Sequence, residues 1–473
     1  MRRARISSGL PLPCEAGDGG RGEGALGTCT GSPPRAPYWL LSPAQFAGER
    51  LGEGGAGDMF GPSPTRRQFS PLPLAGEGPG ERAAGDCAGT IEPPRTPPGP
   101  KHDPHPNHER SGCSRLSDEI RDELARLTLE LCAIPSETCH EDEIASWIHH
   151  RCVQAAGSRA VTRIGNSVVC EPYGRDERPG EPVIALVGHV DTVKCADGQS
   201  LEIRDGKVYG CGASDMKSGL AVMLALLDRW RELERARPVW IFYEGEEGPA
   251  EGNGLSPVLE SGVLPTIDFA FILEPTDQGV QPGCMGLIHA TVTVRGTRAH
   301  SARPWQGDNA LYRAIPVLER LRAFERREVK FGDLCFYEVI VATAAVTRNS
   351  RNVVPDAVEL NVNFRFAPGN TAQNAEAELR ALVGELAEVE VTDSALAGDV
   401  HADHPLLADW CRAEKLKVMP KQAWTDVARF TASGIPAVNF GPGETAQAHQ
   451  AGEWASIDSL EHCYGALRRW FGP

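Results

Sequence analysis

The sequence predicts an α/β protein: a mostly parallel sheet flanked by helices, interrupted by a smaller inserted α+β domain. Three textures carry that prediction. From about residue 116 to 290, short continuous apolar runs alternate with longer helical patterns, as where helices join the strands of one sheet. Between about 291 and 396 the runs give way to period-two alternation, which marks half-buried strands. From 397 to 473 the chain returns to the first texture.

In chain order, Ser117-Asp118-Glu119 is a helix-start signal, and a helical apolar pattern follows through Leu131. Val183 to Val187 reads as a buried strand and Leu220 to Trp230 as a helix. Pro238 to Tyr243, Phe269 to Leu273 and Ala437 to Phe440 read as further strands. In the insert, Ile288 to Val294 alternates as a strand. A helix over 308–325, strands near 337–346 and 357–366, and a helix near 371–387 follow. No internal repeat is present.

Residues 1–112 stand apart. Roughly a third of that stretch is Gly plus Pro, against ordinary usage of about 12%. Without periodicity it cannot bury enough apolar surface to offset the entropy of ordering. It is expected to be a disordered extension, or a stretch read from too early a start, with the working protein beginning near Leu116.

Of the 473 residues, 48 are Lys or Arg and 64 Asp or Glu, a formal net charge of -16. That balance argues against nucleic acid or an anionic membrane surface as a partner. No apolar run reaches the roughly 18 residues of a membrane span. Met1-Arg2-Arg3-Ala4-Arg5 is not followed by the apolar segment of a secretory signal, so a cytoplasmic protein is expected. The 14 cysteines are scattered without a Cys-x-x-Cys pair and read as reduced thiols.

The chemistry lies just after the strands. His189 and Asp191 follow the first, Glu246 and Glu247 the second and Glu274 the third; a loop after the last leads to His449. Asp215 opens a helix at the same edge. In open α/β sheets ligands bind outside the carboxyl ends of the strands. Taken singly, each residue has a plainer reading: a loop histidine, a solvated acidic pair, a helix cap. Together, two imidazoles and several carboxylates suit zinc, with cobalt or manganese as substitutes. They exceed what one tetrahedral zinc needs and fit a pair.

Gly188-His189-Val190-Asp191-Thr192-Val193, Gly212-Ala213-Ser214-Asp215-Met216-Lys217, Glu246-Glu247-Gly248 and the late His449 resemble the co-catalytic zinc aminoacylase and carboxypeptidase family over about 118–472. The resemblance implies a zinc-hydrolase domain (116–290 and 397–473) interrupted by a dimerisation or lid domain (291–396). It implies two Zn(2+) per subunit, one held by His189 and Glu274, the other by Glu247 and His449, with Asp215 bridging. Glu246 would be the general base, and Asp191 would accept a hydrogen bond from His189 and orient it. His300, in Arg298-Ala299-His300-Ser301, would reach a partner subunit's active site, which implies a homodimer. Asn352 and Arg365 resemble contacts to a substrate carboxylate, a group that suits arginine. The substrate would be a small N-acylated amino acid. The wording is closest to the branch that releases succinate from N-succinyl-LL-2,6-diaminopimelate in lysine synthesis. Acetylornithine deacylation comes second and a carboxypeptidase third. Cys211 stands where that branch is expected to carry arginine.

Overall fold

The computed structural model describes residues 111–174 and 178–472. The expectation for 1–112 therefore lies, but for its last two residues, outside the described residues.

A seven-stranded sheet forms the larger part. Its four central strands, in spatial order Arg237–Tyr243, Val183–His189, Phe269–Pro275 and Ala437–Gly441, run parallel. Antiparallel edges complete it: the Val161–Ile164 and Ser167–Cys170 hairpin on one side, Gln281–Pro282 on the other. Every residue of the four central strands is buried, which explains their unbroken apolar runs. Successive side chains alternate between two cores. Ile184, Leu186, Trp240 and Phe242 pack with helices Ser111–Ala133, Ser218–Leu227 and Ile457–Phe471. Ala185, Val187, Val239 and Ile241 pack with Leu255–Glu260 and Val427–Ala432. Ser218–Leu227 is apolar all round and wholly buried, as a helix between sheet and outer helices must be.

The smaller part is a five-stranded antiparallel sheet in the order Arg327–Phe331, Leu334–Val346, Ala357–Phe366, Gly286–Arg295, Glu388–Ala395. One face carries Ile288, Ala290, Val292 and Val294 and packs against Val317, Leu321, Leu379 and Val383 of helices Ile315–Ala323 and Ala372–Val383. The strands Gly286–Arg295 and Ala357–Phe366 alternate buried and half-buried along their length.

Some local readings shift. The first helix starts at Ser111, before the expected signal. The helix expected over 308–325 is two, Ala310–Arg313 and Ile315–Ala323. Pro316 explains the break: it lacks an N–H and fits the first turn of a helix. Strand Glu388–Ala395 had an unused signal, the half-buried Val389 and Val391 alternating with exposed polar residues.

Candidate metal centre

Because the central strands are parallel, their carboxyl ends share one edge. His189 is the last residue of its strand, Glu274 lies near the end of its own, and Glu246 and Glu247 follow Tyr243. The turn into Glu246 depends on Gly245, whose φ is +75°. A Cβ there would stand 2.4 Å from the Gly252 carbonyl oxygen. Only glycine combines that conformation with that approach.

Asp215 stands between two histidines. His189 Nε2 lies 3.2 Å from Oδ1, and His449 Nε2 lies 3.7 Å from Oδ2. Glu274 Oε1 is 3.7 Å from His189 Nε2, and Glu247 Oε1 is 2.9 Å from His449 Nε2. Ligand-capable atoms of His189, Asp215 and Glu274 all fall within 4.8 Å of one another; so do those of Asp215, Glu247 and His449, and of His189, Glu246 and Glu247.

Asp191 is fully buried beneath this cluster. Its main-chain carbonyl lies 3.0 Å from His189 Nδ1, closer than its carboxylate at 3.5 Å. The carboxylate accepts the backbone N–H of Glu246 and of Glu247, each at 3.0 Å, and the Thr138 hydroxyl at 2.9 Å. Asp191 thus holds the imidazole by its main chain and the acidic turn by its side chain.

The electrostatics ask for a cation. Burial and the Asp215 charge push Glu274 up to about 7. Burial raises Glu246 well above the usual carboxylate range, with Glu274, Asp426 and Glu247 adding to it against His189. Burial works against a charged His189, yet Asp191 and Asp215 outweigh it and raise its pKa well above the usual value. The hydrogen bond to Glu247 takes His449 up to about 9. Among the described residues, Glu274 Oε1 is buried without a hydrogen-bond partner. Two imidazoles and several carboxylates with converging ligand atoms form an N/O donor set, so the residues fit a metal pair.

Arg365 shares a cavity of about 850 Å³ with Asp215, Glu246, Glu247, Glu274 and His449. His300 and Asn352 do not join it. They are exposed together at the edge of the smaller part, where the Ser301 N–H donates to the Asn352 carbonyl at 2.9 Å. Within one chain the structure therefore leaves these two expected residues apart from the cluster.

Two participants escaped the sequence. Glu453 is buried and accepts the backbone N–H groups of Gly212 and Ser214 at 2.8 Å and of Asp215 at 2.9 Å. Its position four residues after His449 was the available clue. Lys421 lines the cavity from a loop that carries no strand or motif signal. The reading of all cysteines as reduced thiols is corrected at one pair. Cys195 and Cys211 form a disulfide across 16 residues, with Cα atoms 5.7 Å apart. Folding brings the loop after Asp191 to the loop before Asp215, a proximity that spacing along the chain does not reveal.

Fold and cluster together define a metal-dependent hydrolase. Residues 185–471, more than half of the chain, match Peptidase family M20/M25/M40, and the chain belongs to that family. It is 36% identical over 357 residues to a succinyl-diaminopimelate desuccinylase of Corynebacterium glutamicum, covering 73% of this chain and 95% of that protein. A Mycobacterium tuberculosis protein that carries the same name provisionally is 34% identical over 359 residues, covering 75% and 99%. An acetylornithine deacetylase of Myxococcus xanthus is 28% identical over 306 residues, covering 61% and 80%. Among solved structures, a Staphylococcus aureus tripeptidase shares the fold with TM-score 0.62 at 20% identity, covering 74% and 97%. A Bacillus subtilis protein described as a dinuclear metal binding peptidase has TM-score 0.53 at 18% identity, covering 74% and 97%.

Proposed function

We propose that the chain hydrolyses the amide of N-succinyl-LL-2,6-diaminopimelate to succinate and LL-2,6-diaminopimelate, a step of lysine and diaminopimelate synthesis. One observation carries the hydrolytic reading: the Asp215 carboxylate faces His189 with one oxygen and His449 with the other, and belongs to two ligand groups, one with His189 and Glu274 and one with Glu247 and His449. The relatives at 34% and 36% identity support the succinyl substrate.

His189 and Glu274 would hold one zinc, Glu247 and His449 the other, with Asp215 shared. Cobalt or manganese could substitute. Zinc supplies Lewis acidity, lowering the pKa of water and polarising a carbonyl. Glu246, with its raised pKa, takes a proton from the attacking water and returns it to the departing amine nitrogen. The C–O bond forms, the C–N bond breaks, and the amine leaves neutral. Asp191 fixes both His189 and the Glu246 turn. Arg365 binds a substrate carboxylate from the wall of the cavity.

Two copies would pair through the smaller part, residues 291–396, which acts as a lid. There Trp305 is 75% exposed and Tyr312 71%, an unusual exposure for large aromatic side chains. Such pairing would let His300 and Asn352 serve the partner's cavity. No helix among the described residues is long and apolar enough to cross a membrane. We place the enzyme in the cytoplasm on its biosynthetic substrate.

The test is succinate release from N-succinyl-LL-diaminopimelate by zinc-loaded protein, with acetylornithine and a Glu246→Ala variant alongside. Turnover of the succinyl compound, lost in the variant, is expected. Turnover of acetylornithine alone would move the protein to the deacetylase activity of the Myxococcus relative.

A further inference from the structure

Lys421 is only 5% exposed, yet it lines the cavity that holds the acidic cluster. Its segment is pinned on both sides. The Lys417 carbonyl accepts the Val280 N–H at 2.8 Å, the Met419 N–H donates to the Val280 carbonyl at 2.9 Å, and the Ala423 carbonyl accepts the Met285 N–H at 3.0 Å. The side chain is therefore placed by rigid backbone and not by a free loop.

The ammonium donates to the Pro275 carbonyl at 3.0 Å. It stands 3.9 Å from Glu274 Oε2, too far for a hydrogen bond. Among the described residues it has no other acceptor. An ammonium carries three donors, and a buried cation is stable only where acceptors surround it. Donors are thus left over at the wall of the cavity, next to a cluster residue. Glu274 is in turn 3.7 Å from His189. The ammonium thus flanks the carboxylate that faces His189, in the same cavity as Glu246 and Glu247.

We propose that Lys421 is a specificity-determining residue: its ammonium binds a substrate carboxylate three bonds from the scissile carbonyl carbon. Three bonds in extended geometry span about 3.8 Å, so a carboxylate at that remove can meet the cavity wall while the amide faces the cluster. Arg365, on the sheet of the smaller part, is left for a second carboxylate. Two carboxylates of an N-succinyl amino acid lie at that distance: the distal one of the succinyl group and the α-carboxylate beside the amide nitrogen. Their chemistry is the same, and the test separates them. The inference rests on amide hydrolysis at this cluster.

Wild type, Lys421→Met and Lys421→Arg are compared as zinc-loaded proteins on three compounds. These are N-succinyl-LL-diaminopimelate, its N-butyryl analogue, in which a methyl replaces the succinyl carboxylate, and its α-carboxamide. Loss of a charge-assisted contact is expected to raise KM of Lys421→Met on the parent compound about 10- to 100-fold, with kcat little changed. On one analogue wild type and Lys421→Met should perform alike, and that analogue identifies the carboxylate Lys421 reads. On the other the full difference should remain. Lys421→Arg should restore part of the preference.

Equal losses on all three compounds, or no loss on any, would overturn the proposal. So would loss of bound zinc in Lys421→Met, which would leave the ammonium only offsetting the Glu274 charge. Calorimetric binding of the same compounds, with Lys421→Met placed on a Glu246→Gln background, reads the contact without turnover. Failure of wild type to hydrolyse any compound would then defeat the functional reading, while calorimetry would still decide the role of Lys421.

Discussion

The Glu453 carboxylate accepts the backbone N–H of Asp215 at 2.9 Å. It therefore ties the loop that carries His449 to the loop that carries the carboxylate both histidines face. Glu453→Ala would leave three backbone donors without their acceptor, since Gly212 and Ser214 bind there too. A loss of about 2–4 kcal/mol in unfolding free energy is expected, with weaker zinc binding. Thermal unfolding and zinc titration measure both. Unchanged zinc affinity would separate Glu453 from the site.

Asp191 fixes the Glu246–Glu247 turn through both carboxylate oxygens. Asp191→Ala is expected to lower kcat or metal affinity about 10- to 100-fold. Asp191→Asn, which keeps one acceptor, should fall between. Steady-state kinetics at fixed zinc would reveal the order of the three proteins.

Glu246→Gln keeps the shape of the side chain and removes its basicity. Turnover should drop by about 10²–10⁴. Zinc content, measured by elemental analysis, should match wild type. A variant with normal kcat would assign the proton transfer elsewhere.

Removing the metal should make stability sensitive to pH in one direction. Glu274, held near 7, and Glu246, also raised, have folded pKa values above the unfolded value of about 4.3. Their contribution is full below that value and is lost as pH rises through the folded pKa. His189 and His449, the latter near 9, are raised above about 6.5 and lose stability in the same direction. Asp191 and Asp215 are lowered, so their contribution is already constant in this window. The Tm of chelated protein should therefore fall from about pH 5 to pH 9, while zinc-loaded protein stays flatter. A Tm of the chelated protein that climbs across that window would contradict the charge balance described.

The Cys195–Cys211 bond closes a loop of 16 residues. Cys195→Ser, or reduction, should cost at most about 3 kcal/mol. Thiol counting on unreduced, denatured protein provides the independent check.

Much of the candidate cluster was legible because its residues sit at strand ends. His189, Glu246, Glu247 and Glu274 each follow or close an apolar run, and the runs are unbroken because their strands are buried on both faces. The parallel sheet and the alternating strands of the smaller part were readable for the same reason: burial writes its period into the residues. Pro316 was just as visible, and it splits a helix whose apolar pattern runs on past it.

The sequence by itself determined which residue types stand at the ends of the strands, and so the kind of chemistry available. Only the tertiary structure decided what those residues hold. Asp191 grips a turn 55 residues away, Glu453 a loop 238 residues before it, and Lys421 the Pro275 carbonyl 146 residues before it. Cys195 meets Cys211 for the same reason. Local periodicity reports how each segment meets the core, because burial acts on every residue in turn. A single side chain reaching into a distant loop leaves no periodic trace, and its partner is fixed only when the chain closes.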